Sequence, residues 1–290
     1  MQLVKIDGIK IGQGNPLALI AGPCVIESEK IVLQTAEQIK TIADRLSMPF
    51  IFKSSYLKDN RSSATSYQGP GVEKGLKILQ KVKDSFNIPV LSDIHDAHDT
   101  RACADVLDVI QIPAFLSMQT SLLLQVAKTG KTINVKKGQF LAASDMQTAI
   151  HKITGEGNHN ILLTERGSFF GYHNLIMDMR NLKAMRDLGY PVVLDPTHAV
   201  RKYGVSSSDR RGGAKEYIFP LTRAGVAAGV DALFIESHPD CDNALCDAAS
   251  MLPLQKLEAL LRQAKAIDEM VKPTLTDDET GLYDYSSLGS

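Results

Sequence analysis

Side chains able to bind metals or anions stand wherever the apolar runs of this 290-residue chain stop. Cys24 follows the run 17–20 across a Gly22-Pro23 break. Asp93 and His95 close the run 90–93, His198 follows 192–195, Glu236 ends 232–236, and Asp247 lies in the loop beyond. Thiolate, imidazole and two carboxylates are the donor set of a divalent ion such as Zn²⁺, Fe²⁺ or Mn²⁺. Lys53, Lys58, Arg61, Lys136 and Arg166 stand after three other runs. Ammonium and forked guanidinium groups of this kind suit phosphates and carboxylates. Taken singly, each residue has a plainer explanation. A buried cysteine usually packs, and a charge after a strand usually begins a solvated loop. Chemistry is favoured only if the fold brings these ends together.

The elements that would do so can be read from hydrophobic pattern. Strand-length apolar segments recur at 17–20, 50–52, 90–93, 109–112, 132–135, 161–164, 192–195 and 232–236. Amphipathic segments at 29–46, 72–85, 97–107, 119–128, 144–154, 175–188, 215–229 and 254–271 separate and follow them. Near-continuous apolar runs are characteristic of parallel strands buried on both faces. Eight such alternations without a linker point to an α/β fold, a closed (β/α)₈ TIM barrel, with a doubly wound open sheet as the lesser option. We read 1–290 as one barrel domain. Residues 1–14 form a hairpin cap turning at Asp7-Gly8, and a polar tail runs from about 273 to 290. In a barrel the C-terminal strand ends share one rim, and the eighth strand pairs with the first. Cys24, His198, Glu236 and Asp247 then become neighbours, while the cations gather on the other half of the rim. Cys241 and Cys246 are read as packing.

Composition limits the partners. A formal net charge of -1 offers no basic field for nucleic acid or an anionic membrane. No apolar stretch is long enough to span a bilayer, and the first residues lack a signal-peptide core. The four cysteines suggest no disulfide framework, which fits a reducing, cytoplasmic compartment.

Several motifs occur in order: Ile20-Ala21-Gly22-Pro23-Cys24-Val25-Ile26-Glu27-Ser28, Phe52-Lys53-Ser54-Ser55, Asn60-Arg61-Ser62-Ser63, Gln111-Ile112-Pro113-Ala114-Phe115, Asn134-Val135-Lys136-Lys137-Gly138, Leu163-Thr164-Glu165-Arg166-Gly167 and Glu236-Ser237-His238-Pro239. On them, nearly the whole chain resembles the 3-deoxy-D-manno-octulosonate 8-phosphate synthases. That resemblance implies a homotetrameric TIM barrel condensing phosphoenolpyruvate with D-arabinose 5-phosphate, on the route to the Kdo sugar of lipopolysaccharide. It implies that Lys53, Gln111, Lys136 and Arg166 hold phosphoenolpyruvate, and that Lys58, Asn60, Arg61 and Ser62 hold the sugar phosphate. Ser55, Asp93, Ala114 and Phe115, on the same motifs and strand ends, complete the expected substrate set. The family divides into metal-requiring and metal-free branches by Cys or Asn at the position of Cys24. The Cys here, with His198, Glu236 and Asp247, implies the metal-requiring branch. Cys24, His198, Asp247 and Lys136 are the expected catalytic residues.

The departures from the family pattern fall on the acceptor side. Leu57 and Asp59 replace Asp and Ala around Lys58, and Gln68 stands where Arg is common. Met118 replaces an Arg that, in the family, reaches a neighbouring subunit's sugar phosphate. Arg201-Lys202-Tyr203 replaces a Gln-Leu-Pro-like stretch. The expected activity is therefore a metal-dependent phosphoenolpyruvate–aldose phosphate synthase. A related synthase with another aldose acceptor, or a non-catalytic phosphosugar-binding relative, are the alternatives.

Overall fold

A computed structural model describes residues 1–61, 63, 65–172, 174–205 and 209–275. The strands are β1 (Val4–Ile6), β2 (Ile9–Ile11), β3 (Ala18–Gly22), β4 (Phe50–Lys53), β5 (Val90–Asp93), β6 (Val109–Ile112), β7 (Thr132–Lys136), β8 (Ile161–Glu165), β9 (Ser168–Gly171), β10 (Asn174–Ile176), β11 (Val192–Leu194), β12 (Ala232–His238) and β13 (Leu252–Pro253). Strands β3 to β8, β11 and β12 pair in parallel in that order. Pairing of β12 with β3 closes them into an eight-stranded barrel. The helices between are α1 (Glu29–Leu46), α2 (Val72–Phe86), α3 (Thr100–Val106), α4 (Thr120–Ala127), α5 (Met146–Gly155), α6 (Arg180–Asp187), α7 (Pro196–Ala199), α8 (Ile218–Ala227) and α9 (Leu254–Val271). The TIM-barrel architecture expected from the run spacing is the one found.

Two layers of packing follow from strand alternation. Residues facing outward from the strands, such as Leu19, Phe52, Ile110 and Val135, join the apolar faces of the helices in one large core. Inward, Ile20, Ile51, Leu91, Val109, Leu162, Val193 and Phe234 fill the barrel. Val4, Ile6 and Ile11 of the β1–β2 hairpin complete that inner cluster, so the hairpin plugs the N-terminal end. Its turn has positive φ at both Asp7 and Gly8, the geometry a two-residue hairpin of this twist needs.

The first helix starts where the candidate site begins. The Ser28 hydroxyl accepts from the Ile31 amide at 3.3 Å and caps α1. A cap of this kind stabilises a helix by about 1 kcal/mol. Upstream, Gly22 has no side chain because one would strike the backbone carbonyl of Lys53 on the adjacent strand. That contact lets β3 and β4 lie close and sets Cys24 beside Lys53.

One expectation is overturned. The segment from 175 does not begin a helix, because Asn174–Ile176 pairs antiparallel with Ser168–Gly171 as a β-hairpin. The helix starts at Arg180, whose amide donates to the Asp178 carboxylate at 3.0 Å. Leu175, Met179 and Leu182 have helical spacing, but the turn through Phe170 and Tyr172, both at positive φ, commits the preceding residues to the hairpin. The expected tail lies outside the described residues from 276 onward.

Candidate active site and metal centre

The floor of the site is the same inward face that forms the barrel core, two residues further along each strand. Ile51 leads to Lys53, Leu91 to Asp93, Val109 to Gln111, Leu162 to Thr164, Val193 to Asp195 and Phe234 to Glu236. The inner lining therefore changes from aliphatic to charged at one height. These buried polar groups bond to one another across the barrel. Asn134 Nδ2 donates to Gln111 Oε1 at 3.0 Å, and Thr164 Oγ1 donates to Asn134 Oδ1 at 2.6 Å. Lys136 Nζ pairs with Asp195 and lies 3.5 Å from His198 Nδ1 and 3.4 Å from the centroid of the Phe234 ring. Burial lowers the Lys136 ammonium to about 8, against the pull of Asp195 and Glu236.

The end of the third barrel strand, β5, carries another hub. Asp93 accepts from Lys58 Nζ at 3.2 Å, from Ser55 Oγ, and faces His95 Nε2 at 3.0 Å. Burial would raise the Asp93 carboxyl, but Lys58 and His95 outweigh it and hold it well below the usual range. Lys58 in turn is held above its ordinary value by Asp93, despite burial.

The four expected metal ligands meet, but as two triads sharing one residue. His198, Glu236 and Asp247 offer donor atoms within 4.8 Å of one another, and so do Cys24, Cys246 and Asp247. His198 Nε2 lies 3.6 Å from Glu236 Oε1 and 3.7 Å from Asp247 Oδ2, and Cys24 Sγ lies 3.3 Å from Asp247 Oδ2. Glu236 Oε2 is buried without a hydrogen-bond partner among the described residues. Burial pushes the Cys24 thiol well up, with Cys246, Asp247 and Glu236 adding to it. Buried, anion-rich and with an unsatisfied carboxylate oxygen, the donor set fits a divalent cation.

Above this floor a cavity of about 250 Å³ opens to solvent. Lys58, Asn60, Arg61, Asp93, Gln111 and Ala114 line it, and so do Phe115, Lys136, Arg166, His198 and Asp247. Lys53, Ser55, Cys24 and Glu236 lie just beneath, all buried. The expected residue Ser62 lies outside the described residues. Arg61 Nη1 donates to Cys246 Sγ at 2.6 Å, and Arg201 Nη1 lies 3.2 Å from Asp247 Oδ1. Burial would raise the Asp247 carboxyl, but Arg201, His198 and Lys58 hold it below its ordinary value. Arg61 Nε and Arg166 Nη1 are buried without a hydrogen-bond partner among the described residues, leaving guanidinium capacity at the cavity.

Some site residues escape the sequence. Cys246, read as packing, does pack in a small apolar cluster with Cys24, Val25 and Met251, and its sulfur also lies within a group of possible metal donors. The signal was its place beside Asp247, discounted because a buried cysteine usually packs. Asp247 is at φ 49°, a turn that Asp tolerates better than most residues, and it lets both side chains reach the site. Tyr203 had no signal. Its hydroxyl accepts from Gln139 Nε2 at 2.6 Å, and its ring meets Phe169 edge-on at 5.0 Å between centroids. The Arg166 guanidinium lies 5.8 Å from the centroid of the same ring.

A (β/α)₈ barrel whose strand ends join fixed cations to thiol, imidazole and carboxylate donors defines an enzyme of small anionic substrates. The chain belongs to the DAHP synthetase I family, whose model it matches over residues 2–273. It is 52% identical to the 2-dehydro-3-deoxyphosphooctonate aldolase of Trichlorobacter lovleyi, covering 93% of this chain and 98% of that one. The proteins of the same name from Geobacter metallireducens and Geobacter sulfurreducens are each 51% identical, with the same coverage.

Proposed function

We propose that this chain condenses phosphoenolpyruvate with D-arabinose 5-phosphate and water to give 3-deoxy-D-manno-octulosonate 8-phosphate and phosphate, in Kdo biosynthesis, with a divalent metal ion at Cys24, His198, Glu236 and Asp247. The observation that carries the reading is the charged layer of the barrel. It sets cations for two anionic substrates against a metal-ligand set, around one cavity.

Lys53, Gln111, Lys136 and Arg166 hold phosphoenolpyruvate in this reading, and Lys58, Asn60, Arg61 and Ser62 hold the sugar phosphate. Ser55 and Asp93 fix Lys58 by the hydrogen bonds they share. Ala114 and Phe115 wall the cavity. C3 of the enol attacks the sugar aldehyde, water adds at C2, and the resulting hemiketal phosphate breaks its C2–O bond to release phosphate. The residues' first contribution is geometric. Holding two reactants in attack position lowers a barrier by roughly 7–11 kcal/mol at best. Lys136, titrating near 8, is the group placed to move a proton at neutral pH. A bound divalent ion supplies Lewis acidity for a sugar oxygen and for water.

The same reading has the chain working as a single-domain homotetramer in the cytoplasm. Phe170 and Tyr172 on the β9–β10 hairpin are 97% and 95% exposed, and Phe140 and Phe115 are also exposed, an apolar display that suits a subunit contact. No helix among the described residues is long and apolar enough to cross a membrane.

Phosphate release from phosphoenolpyruvate tests the reaction, with arabinose 5-phosphate, erythrose 4-phosphate and unphosphorylated arabinose as acceptors. Arabinose 5-phosphate should be the best acceptor, and chelation should abolish turnover until Zn²⁺, Fe²⁺ or Mn²⁺ is returned. Full activity in protein shown by elemental analysis to lack metal would exclude the metal role.

A further inference from the structure

Cys246 packs in a small apolar cluster with Cys24, Val25 and Met251, and its sulfur also faces the candidate metal ligands. Its sulfur is 2.7 Å from Cys24 Sγ and forms a triad with Cys24 and Asp247 within 4.8 Å. The residue is held there from three directions. Leu245 N donates to Glu27 Oε1 at 2.8 Å, and Leu245 O accepts from Arg61 Nη2 at 3.3 Å. On the other side the amides of Ser250 and Met251 donate to the Asp247 carbonyl at 2.9 and 3.0 Å. The backbone on either side of Cys246 is thereby anchored, and the thiol is aimed at Cys24 and Asp247 rather than into the helix-facing core.

The two triads share Asp247, so an ion bound there has His198 and Glu236 on one side and the two sulfurs on the other. A position that satisfies Cys24 and Asp247 lies within reach of Cys246 as well. We propose that Cys246 supplies a second sulfur donor to the ion held at Cys24 and Asp247, making this a sulfur-rich site that selects Zn²⁺ over Mn²⁺. The inference rests on the reading that the chain holds a divalent ion. Soft thiolate donors favour Zn²⁺, while carboxylate and water suit Mn²⁺, so a second sulfur moves the preference in one direction. Ligation would also take the sulfur from Arg61 as an acceptor. The guanidinium expected to hold the sugar phosphate would then be freer for it when the ion is bound.

Cobalt substitution distinguishes the possibilities, because thiolate-to-Co²⁺ charge transfer counts sulfur ligands independently of turnover. Wild type, Cys24→Ser, Cys246→Ser and the double variant would be titrated with Co²⁺ to saturation, with circular dichroism to verify folding. Cys24→Ser and Cys246→Ser should each keep about half of the wild-type band, as expected for two thiolate ligands, and the double variant none. Chelator competition should show Zn²⁺ affinity falling at least about tenfold in Cys246→Ser, the lower bound seen when even an outer-sphere partner is lost. Mn²⁺ affinity should scarcely change. If Cys246→Ser keeps the full band and the full Zn²⁺ preference while Cys24→Ser loses the band, the ion is bound without Cys246. If wild type binds no Co²⁺, the metal reading fails and takes this inference with it.

Discussion

Lys53 Nζ lies 2.6 Å from Glu236 Oε1, with both side chains only 1% exposed. The pair joins a residue of the cationic half of the rim to one of the metal-ligand half. Lys136 with Asp195 and Arg61 with Cys246 repeat the pattern, while Arg201 pairs with Asp247 within the metal-ligand half. The two halves interlock through these contacts. Burial would raise the Glu236 carboxyl, but Lys53 and His198 keep it lowered.

Lys53→Met leaves Glu236 buried without its ammonium partner. Removing one member of a buried pair costs about 3–5 kcal/mol. Thermal or denaturant unfolding should show a loss of that order, and Lys53→Met/Glu236→Leu should recover much of it. Added Zn²⁺ should stabilise Lys53→Met more than wild type, since a cation takes over the unpaired carboxylate. A loss below about 1 kcal/mol, the scale of an exposed pair, would show that Glu236 finds another partner.

Arg166→Ala and Arg61→Ala should separate the substrates. Each removes charge-assisted hydrogen bonds worth about 1.5–3 kcal/mol, roughly ten- to a hundredfold in binding. Steady-state kinetics should place the Arg166 loss in the KM for phosphoenolpyruvate and the Arg61 loss in the KM for the sugar phosphate. Both variants weakening one substrate and sparing the other would undo the assignment of the two groups.

Met118 brings no charge to the acceptor, and its carbonyl accepts from Lys152 Nζ at 2.9 Å. Arg201 does reach the cavity, although its guanidinium faces Asp247. If Arg201 and Lys202 replace the missing contact, wild type should strongly prefer arabinose 5-phosphate over arabinose, and Arg201→Ala/Lys202→Ala should shrink that preference. Equal use of both sugars by wild type would mean that the phosphate pocket is lost and the acceptor is another aldose.

Lys136 gives a pH dependence with a definite sign. Its ammonium, lowered by burial to about 8, is charged below that pH and neutral above it. Phosphoenolpyruvate binding by chelated protein, followed by calorimetry, should weaken as pH rises through 8, by about tenfold per unit at the limit for one proton. Lys136→Arg should remove this alkaline decline, because a guanidinium stays charged. A flat profile in wild type would show that Lys136 does not meet the substrate as a cation.

The barrel was legible because parallel strands buried on both sides must be apolar throughout, leaving eight clean runs. The candidate site was legible for a related reason. Polar residues such as Lys53, Asp93 and Glu236 end those runs on an inward face where nothing polar is needed for folding. The β9–β10 hairpin was not legible, since Leu175 and Leu182 have helical spacing while the turn that decides the matter depends on φ at Phe170 and Tyr172. Cys246 was read as packing because a buried cysteine usually packs, and nothing local in the sequence shows that its sulfur also stands beside Cys24 and Asp247. The cross-barrel pairs were beyond reach as well. Which cation meets which carboxylate is set by the register of closure, such as Glu236 opposite Gly22, and no local pattern encodes it.

That register also fixes when the site can exist during synthesis. Strand β3 leaves the ribosome first among the barrel strands, and its partner β12 leaves last, yet the two share five consecutive pairings. At synthesis rates of about 5–20 residues per second, β3 waits many seconds for the strand that covers it. Until then the nascent chain has open parallel edges at β3 and β11, surfaces on which another chain can add. Cys24 emerges long before Glu236 and Asp247, so the proposed ligand set is incomplete until β12 and the loop beyond it are made. Chain termination between Cys24 and β12 therefore yields a polypeptide that carries the thiol and lacks the carboxylates of Glu236 and Asp247.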